Sequence, residues 1–247
     1  MDIKFVTIET RDSQTESNLL KSAKINAIDI EVLGKGVEWR WFITKFEILN
    51  EHLSNVKEDY ICFVDSKDVL FLEDINKIKE VYQKYFYNKI VLNTEIMCWP
   101  DVNQYNKFPS NNSKFKYLNS GCYIGPTKLV HKLIKESLKF SKQHHDGDPY
   151  GYFNDDQYLF HQMYFSGLFE DNIELDYGCK LFQTLHSTTD EIKYLDTSLY
   201  NKHTKSYPLI IHGNGHTSLY KVGEVFCRKN NCILEETFTI KSLKNQG

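Results

Sequence analysis

The sequence is short of several things, and each shortage removes a class of protein. No apolar run reaches about 18 residues, so no segment reads as a membrane-spanning helix. There is no basic excess: 30 Lys and Arg face 33 Asp and Glu, and the net charge of −3 argues against a general nucleic-acid binder. The six cysteines (Cys62, Cys98, Cys122, Cys179, Cys227 and Cys232) include no CxxC pair, which disfavours a zinc ribbon or a thioredoxin-type site. Cys62, Cys98 and Cys122 lie in or beside apolar runs, where free cysteine behaves as a small hydrophobe, so mostly reduced cysteines are expected. The start, Met1-Asp2-Ile3-Lys4-Phe5-Val6, enters a strand pattern without a signal peptide's apolar stretch. That favours a cytoplasm, a virus-infected host's included, unless a leader has been removed. Repeats, low-complexity tracts and an evident interdomain linker are also missing, so residues 1–247 read as a single domain.

What is present is ordinary in bulk and rich in rings. The chain is 41% hydrophobic and 26% charged, and its 16 Tyr and 16 Phe suit carbohydrate or nucleotide surfaces as well as cores. Strand patterns at Ile3–Ile8, Ile28–Val32, Tyr60–Val64 and Lys89–Asn93 alternate with helical patterns through Leu19–Ala23, Phe42–Leu53 and Asp74–Phe86. This alternation predicts an α/β domain with a mixed, mostly parallel central sheet flanked by helices. Residues 100–116 read as a surface loop, and Tyr117–Ile124 as a strand before a helix at Lys128–Phe140. Gln143–Tyr152 reads as a second loop holding His144 and His145, both expected to be solvated. Asn154–Phe165 looks helical, and short strands follow near Ile173–Leu175, Leu181–Gln183 and Pro208–Ile211.

The chemistry concentrates at two strand ends. Asp65 and Asp68 follow the buried run Tyr60–Val64, and ligands in open α/β sheets bind beyond the carboxyl ends of strands. Two hard oxygen ligands suit Mg²⁺ or Mn²⁺, although Asp65 could equally cap a turn. His212-Gly213-Asn214-Gly215 also follows a buried run; its imidazole is a nitrogen ligand, and its glycines let main-chain N–H groups approach an anion. Together, Asp65, Asp68 and His212 make a mixed oxygen and nitrogen set that favours Mn²⁺ over a purely oxygen-liking ion.

Eight stretches carry a family resemblance, in order, from about residue 3 to residue 220. They are Phe5-Val6-Thr7-Ile8-Glu9-Thr10, Glu38-Trp39-Arg40, Phe63-Val64-Asp65-Ser66-Lys67-Asp68-Val69-Leu70, Glu95-Ile96-Met97-Cys98-Trp99-Pro100, Phe115-Lys116-Tyr117-Leu118-Asn119-Ser120-Gly121, Asn154-Asp155-Asp156-Gln157, Leu181-Phe182-Gln183 and Ile211-His212-Gly213-Asn214-Gly215. On these the chain resembles the glycosyltransferase domain of the procollagen lysyl hydroxylases, within the GT-A class of nucleotide-sugar transferases.

The resemblance implies a Mn²⁺ site (with Mg²⁺ as the alternative) formed by Asp65, Asp68 and His212. It implies a UDP-sugar donor, most simply UDP-glucose, held at Val6 and Thr7, under Trp39, and near Lys45, Ser66, Asn119, Gly213 and Gly215. Glu95 and Trp99 fall where a sugar would be met. Asp155 and Asp156 fall where a carboxylate faces the reacting sugar or the acceptor hydroxyl; the alternative is a helix cap. Gly121 reads as permitting close approach of the donor. The acceptor implied is galactosyl-hydroxylysine in a collagen-like or glycopeptide chain, and the compartment implied is a secretory lumen; a homo-oligomer is open. Lys67 replaces the family's aromatic between the aspartates, Ser218 replaces a lysine, and a glycine-rich loop before Lys45 is largely absent. Two other readings stay open: a Mn²⁺-dependent phosphoesterase or pyrophosphatase, and a non-catalytic nucleotide- or glycan-binding module.

Overall fold

Alternation of apolar residues builds the sheet from its middle outwards. In the strand β1 (Ile3–Ile8), Phe5 packs on one side and Val6 on the other; in β3 (Tyr60–Val64), Cys62 and Phe63 divide in the same way. All five β3 residues are buried, as expected of a strand covered on both faces. The computed structural model describes residues 1–11, 17–144, 148–188 and 190–234. β2 (Ile30–Leu33), β5 (Ile90–Glu95), β6 (Tyr117–Pro126) and β7 (Ile173–Leu175) complete a six-stranded sheet ordered β2-β1-β3-β6-β5-β7. β1 is parallel to β2 and β3, and β7 to β5, while β6 runs against both its neighbours. A continuous apolar run reports burial and not direction, so the reversal of β6 was not readable from the sequence.

Helices cover both faces. α2 (Ile43–Leu53), α4 (Thr127–His144) and α5 (Asp156–Phe165) pack one face, with the Phe46 and Phe160 rings stacked at 4.8 Å. α1 (Asn18–Ile25) and α3 (Ile75–Phe86) pack the other through Leu19, Ala23, Ile78 and Tyr82. Local chemistry starts them: Ser17 accepts from the Leu20 N–H, and Asp74 from those of Asn76 and Lys77.

A smaller sheet, β4-β11-β8, is made of β4 (Val69–Phe71), β8 (Phe182–Thr184) and β11 (Ile210–His212). α6 (Tyr220–Asn230) covers it through Val222 and Phe226. β9 (Ile192–Tyr194) and β10 (Leu199–Asn201) form a hairpin. β7, β8 and β11 fall where strands were expected, whereas β4, β9, β10 and α6 were not anticipated.

Two expectations are corrected. α4 continues to His144, whose ring stacks on Phe140 at 4.1 Å, so His144 belongs to a helix and not to a loop; His145 lies outside the described residues. The stretch 100–116 buries Gln104, Phe108 and Phe115, because Phe108 packs against Tyr117, His161, Tyr164 and Phe165. All six cysteines are free thiols, four of them buried. Among the described residues no helix is long and apolar enough to cross a membrane.

Candidate metal and donor site

Three chain segments are pinned together where β3 ends. The Asp65 N–H donates to the Gly121 carbonyl at 2.8 Å, and the Gly213 N–H donates to the Asp68 carbonyl at 2.7 Å. β11 pairs with β4 so that His212 stands opposite Val69, the residue after Asp68. Ligand atoms of Asp65, Asp68 and His212 consequently lie within 4.8 Å of one another. His212 Nε2 is 3.4 Å from Asp68 Oδ2 and 3.7 Å from Asp65 Oδ2. Burial works against charge on His212, but Asp68 and Asp65 outweigh it and raise its pKa. Burial likewise works against charge on Asp68, where His212 prevails and lowers the pKa. This is a mutually compensated set, and its donors fit a hard divalent cation of the Mn²⁺ or Mg²⁺ kind.

Gly121 is required here. A Cβ on it would overlap the His212 ring and lie 2.7 Å from Asp65 Oδ2. Its missing side chain makes room for these two side chains, a use different from the donor approach expected from sequence.

The orientation of His212 is set from behind. Asn119 Nδ2 donates to Glu95 Oε1 at 3.1 Å, and Asn119 Oδ1 lies 3.1 Å from both the Gly121 N–H and His212 Nδ1. A carboxylate only accepts, so Asn119 turns its NH₂ towards Glu95 and its oxygen towards the ring. His212 then carries a proton on Nδ1 and presents Nε2 to the two carboxylates. Glu95 is further held by Gln157 Nε2 at 2.8 Å and Asn214 Nδ2 at 3.0 Å. Burial pushes its pKa up, against the hydrogen bonds from Asn119 and Gln157. Where the sequence led us to expect a carboxylate open to a sugar hydroxyl, the structure places one whose two oxygens both have amide partners.

Lys45 reaches the cluster from α2. Its Nζ lies 2.7 Å from Asp65 Oδ1 and 3.0 Å from Asp156 Oδ2. Burial opposes its charge, but Asp156 and Asp65 raise its pKa. Asp155 is the N-cap of α5, accepting from the Tyr158 N–H at 2.9 Å. Burial, and then the charge of Asp156, push its carboxyl up to about 7.

The other predicted residues differ in burial and in partners. Val6 is fully buried in the core, so only its main chain is available to a ligand. Thr7 lies one residue past the last β1–β3 pair, Val6 with Phe63, and its buried Oγ1 has no partner. Ser66 Oγ is 3.4 Å and Lys67 Nζ 3.5 Å from Glu9 Oε2, which ties the Asp65–Asp68 turn to the end of β1. Trp39 is exposed and edge-on to Phe42, with Trp41 beside the same ring. Trp99 is 60% exposed, while its carbonyl accepts from Gln157 Nε2 at 2.7 Å. A Cβ at Gly213 would sit 2.6 Å from the Thr217 carbonyl, and Gly215 adopts a φ of 61° against the His186 ring.

Gln157 and Asn214 were quoted in the motifs but given no role. Their amides complete the shell around Glu95, and a short polar residue beside each acidic or histidine position was the only signal available.

Similarity to known proteins shows the family. The PLOD GT domain family matches residues 1–224. The chain is 30% identical over 233 residues to a multifunctional procollagen lysine hydroxylase and glycosyltransferase of Caenorhabditis elegans, covering 87% of this chain and 30% of that protein. It is 28% identical to an uncharacterised protein of Acanthamoeba polyphaga mimivirus, over 79% of this chain and 42% of the other. The chain thus spans less than half the length of these relatives. Its fold matches the crystal structure of a glycosyltransferase involved in the glycosylation of the major capsid of PBCV-1, with a TM-score of 0.52 at 12% identity over 87% of this chain and 94% of that one. The mixed sheet, the Asp-Asp-His cluster at its strand ends and the match over residues 1–224 converge: this chain, of GT-A fold, belongs to the PLOD GT domain family.

Proposed function

We propose that the chain is a metal-dependent glycosyltransferase that moves a hexose, glucose in the first instance, from a UDP-sugar to a hydroxyl acceptor. The acceptor in this reading is galactosyl-hydroxylysine of a collagen-like chain. The single observation that carries it is the convergence of Asp65, Asp68 and His212 within 4.8 Å at the carboxyl end of β3. A Mn²⁺ ion held there, or Mg²⁺ in its place, would neutralise the diphosphate as it leaves. In the transfer the bond from the anomeric carbon to the diphosphate oxygen breaks, a bond to the acceptor oxygen forms, and the acceptor proton passes to a base.

The chain's own groups divide the work. Asn119, oriented by Glu95, keeps the His212 ring facing the carboxylates. Lys45 holds Asp65 and Asp156 at a fixed separation. Asp155, with its carboxyl near 7, is suited to taking up a proton close to neutral pH. Thr7 and Trp39 border the position expected for the base of UDP, and Trp99 offers an exposed ring to a pyranose.

The test is UDP release by the purified chain with Mn²⁺ and each UDP-sugar, with and without a collagen-type glycopeptide. Release that rises with the glycopeptide and falls about a hundredfold or more in Asp68→Ala is expected. Release that is absent or indifferent to Asp68 overturns the reading. Hydrolysis of simple phosphoesters would point to a phosphoesterase, and UDP binding without turnover to a non-catalytic module.

A further inference from the structure

The end of α6 holds a pair of thiols that the transfer chemistry leaves unused. Cys227 lies in the last turn of the helix and Cys232 just past it, both half-buried and both beyond residue 224, where the family match ends. Cys232 Sγ donates to Cys227 Sγ across 3.7 Å. The main chain holds the pair together without help from the sulfurs. Asn231 takes the left-handed conformation with a φ of 49°, and its N–H and that of Cys232 both donate to the Cys227 carbonyl, the latter at 3.2 Å. A helix-ending turn of this kind folds the chain back beside its own last turn.

The same end of α6 is fastened to the small sheet. Lys229 Nζ donates to the Leu72 carbonyl at 2.8 Å and pairs with Glu73 at 2.5 Å, directly after β4. Cys227 and Cys232 pack against the apolar cluster that holds Leu70, Ile211 and Phe226. The other cysteines differ: Cys62, Cys98, Cys122 and Cys179 are buried, and burial raises the pKa of each thiol. Burial, and then the hydrogen bond to Cys227, push the Cys232 thiol up to about 11, so that Cys232 keeps its proton beside the Cys227 sulfur.

We propose that Cys227 and Cys232 are a redox-modification site, a dithiol that a low-molecular-weight disulfide such as glutathione disulfide converts reversibly into an intramolecular disulfide. The backbone already sets the two residues side by side, and the sulfurs have only to close from 3.7 Å to about 2 Å. The Cys227 thiol loses its proton, and its sulfur attacks one sulfur of glutathione disulfide, breaking that S–S bond and releasing one glutathione thiolate. Cys232 then loses its proton and attacks the Cys227 sulfur of the mixed disulfide, releasing the second glutathione. Two electrons pass from the protein to glutathione, and the two protons end on the released thiolates. The closed form locks the turn that ends α6, the helix covering the sheet that carries His212. None of this depends on the transferase reading.

The full chain is incubated in glutathione redox buffers, alkylated without denaturant and mapped by mass spectrometry. The expected product is lighter by about 2 Da, yields a cross-linked Cys227–Cys232 peptide, and returns to the dithiol in dithiothreitol, with a midpoint independent of protein concentration. Cys232→Ser should stop at a glutathione adduct on Cys227, heavier by about 305 Da. Cys227→Ser should form an adduct at least about tenfold more slowly. Phenylarsine oxide, which bridges neighbouring thiols, should bind once per chain and at least about tenfold more weakly to either serine variant. Thiols that stay reduced throughout, stable glutathione adducts on the wild-type chain, a bridge to another cysteine or to a second chain, or equal arsenical binding by the serine variants overturns the proposal.

Discussion

Two regions that hold carboxylates meet at His212, and they hold them by different means. On the α2 side, Asp65 and Asp156 face the Lys45 ammonium, and Asp68 faces the imidazole. On the β5 side, Glu95 faces three neutral amides, from Asn119, Gln157 and Asn214. Charge set against charge can change partners when another cation arrives, because Asp65 loses nothing by exchanging one positive neighbour for another. Amide donors in a buried cage have no such freedom, and breaking one leaves an unpaired group. The first region is built to respond and the second to stay still. Four substitutions separate these behaviours.

The largest effect should come from the still side. Glu95→Ala removes an acceptor shared by three buried amides and should cost about 3–5 kcal/mol in chemical denaturation, with no recovery on adding Mn²⁺. Lys45→Met leaves two carboxylates without their cation and should cost about 2–4 kcal/mol in chelator. Here millimolar Mn²⁺ should restore roughly half of the loss through Asp65. If both variants respond alike to Mn²⁺, the distinction between the two regions fails.

Gly121→Ala, at the seam, should destabilise by about 1–3 kcal/mol and weaken Mn²⁺ affinity by about tenfold, read by calorimetry. The smallest effect belongs to Asp155. Its carboxyl titrates at about 7 in the fold, above its ordinary value, so the folded state holds the extra proton. Stability therefore falls as pH rises from about 4 to 7. Asp155→Asn keeps a capping side chain and should flatten that fall, gaining about 1–2 kcal/mol at pH 8 in thermal or urea unfolding.

Residues whose roles follow from local position were legible in the sequence, and those whose roles follow from crossing were not. Asp65 and Asp68 could be singled out because a five-residue apolar run placed them at a strand end. His212 followed for the same reason, and the family resemblance joined the three. Glu95 was noticed but expected to face a sugar, because its amide partners come from β6, α5 and the turn after β11. No window of sequence brings those segments together. A register shift in β5 between Leu92 and Asn93 sets Asn93 opposite Asn119, and an irregularity of one residue is invisible to a period-of-two pattern. The fold class was readable from the alternation in the first hundred residues; of the small sheet, β8 and β11 fall on expected strands, while β4 and the pairing of the three were not read.

The position of β11 between β4 and β8 has a consequence for the order of assembly. As the chain is synthesised, Asp65 and Asp68 emerge long before His212, and two carboxylates alone make a weak and unselective claim on a divalent ion. The third ligand is delivered only when β11 slots in between its two neighbours. If the cluster takes up the divalent ion proposed above, tight uptake would be a late event that certifies a finished fold, and withdrawing the ion should loosen the last-formed sheet before the first.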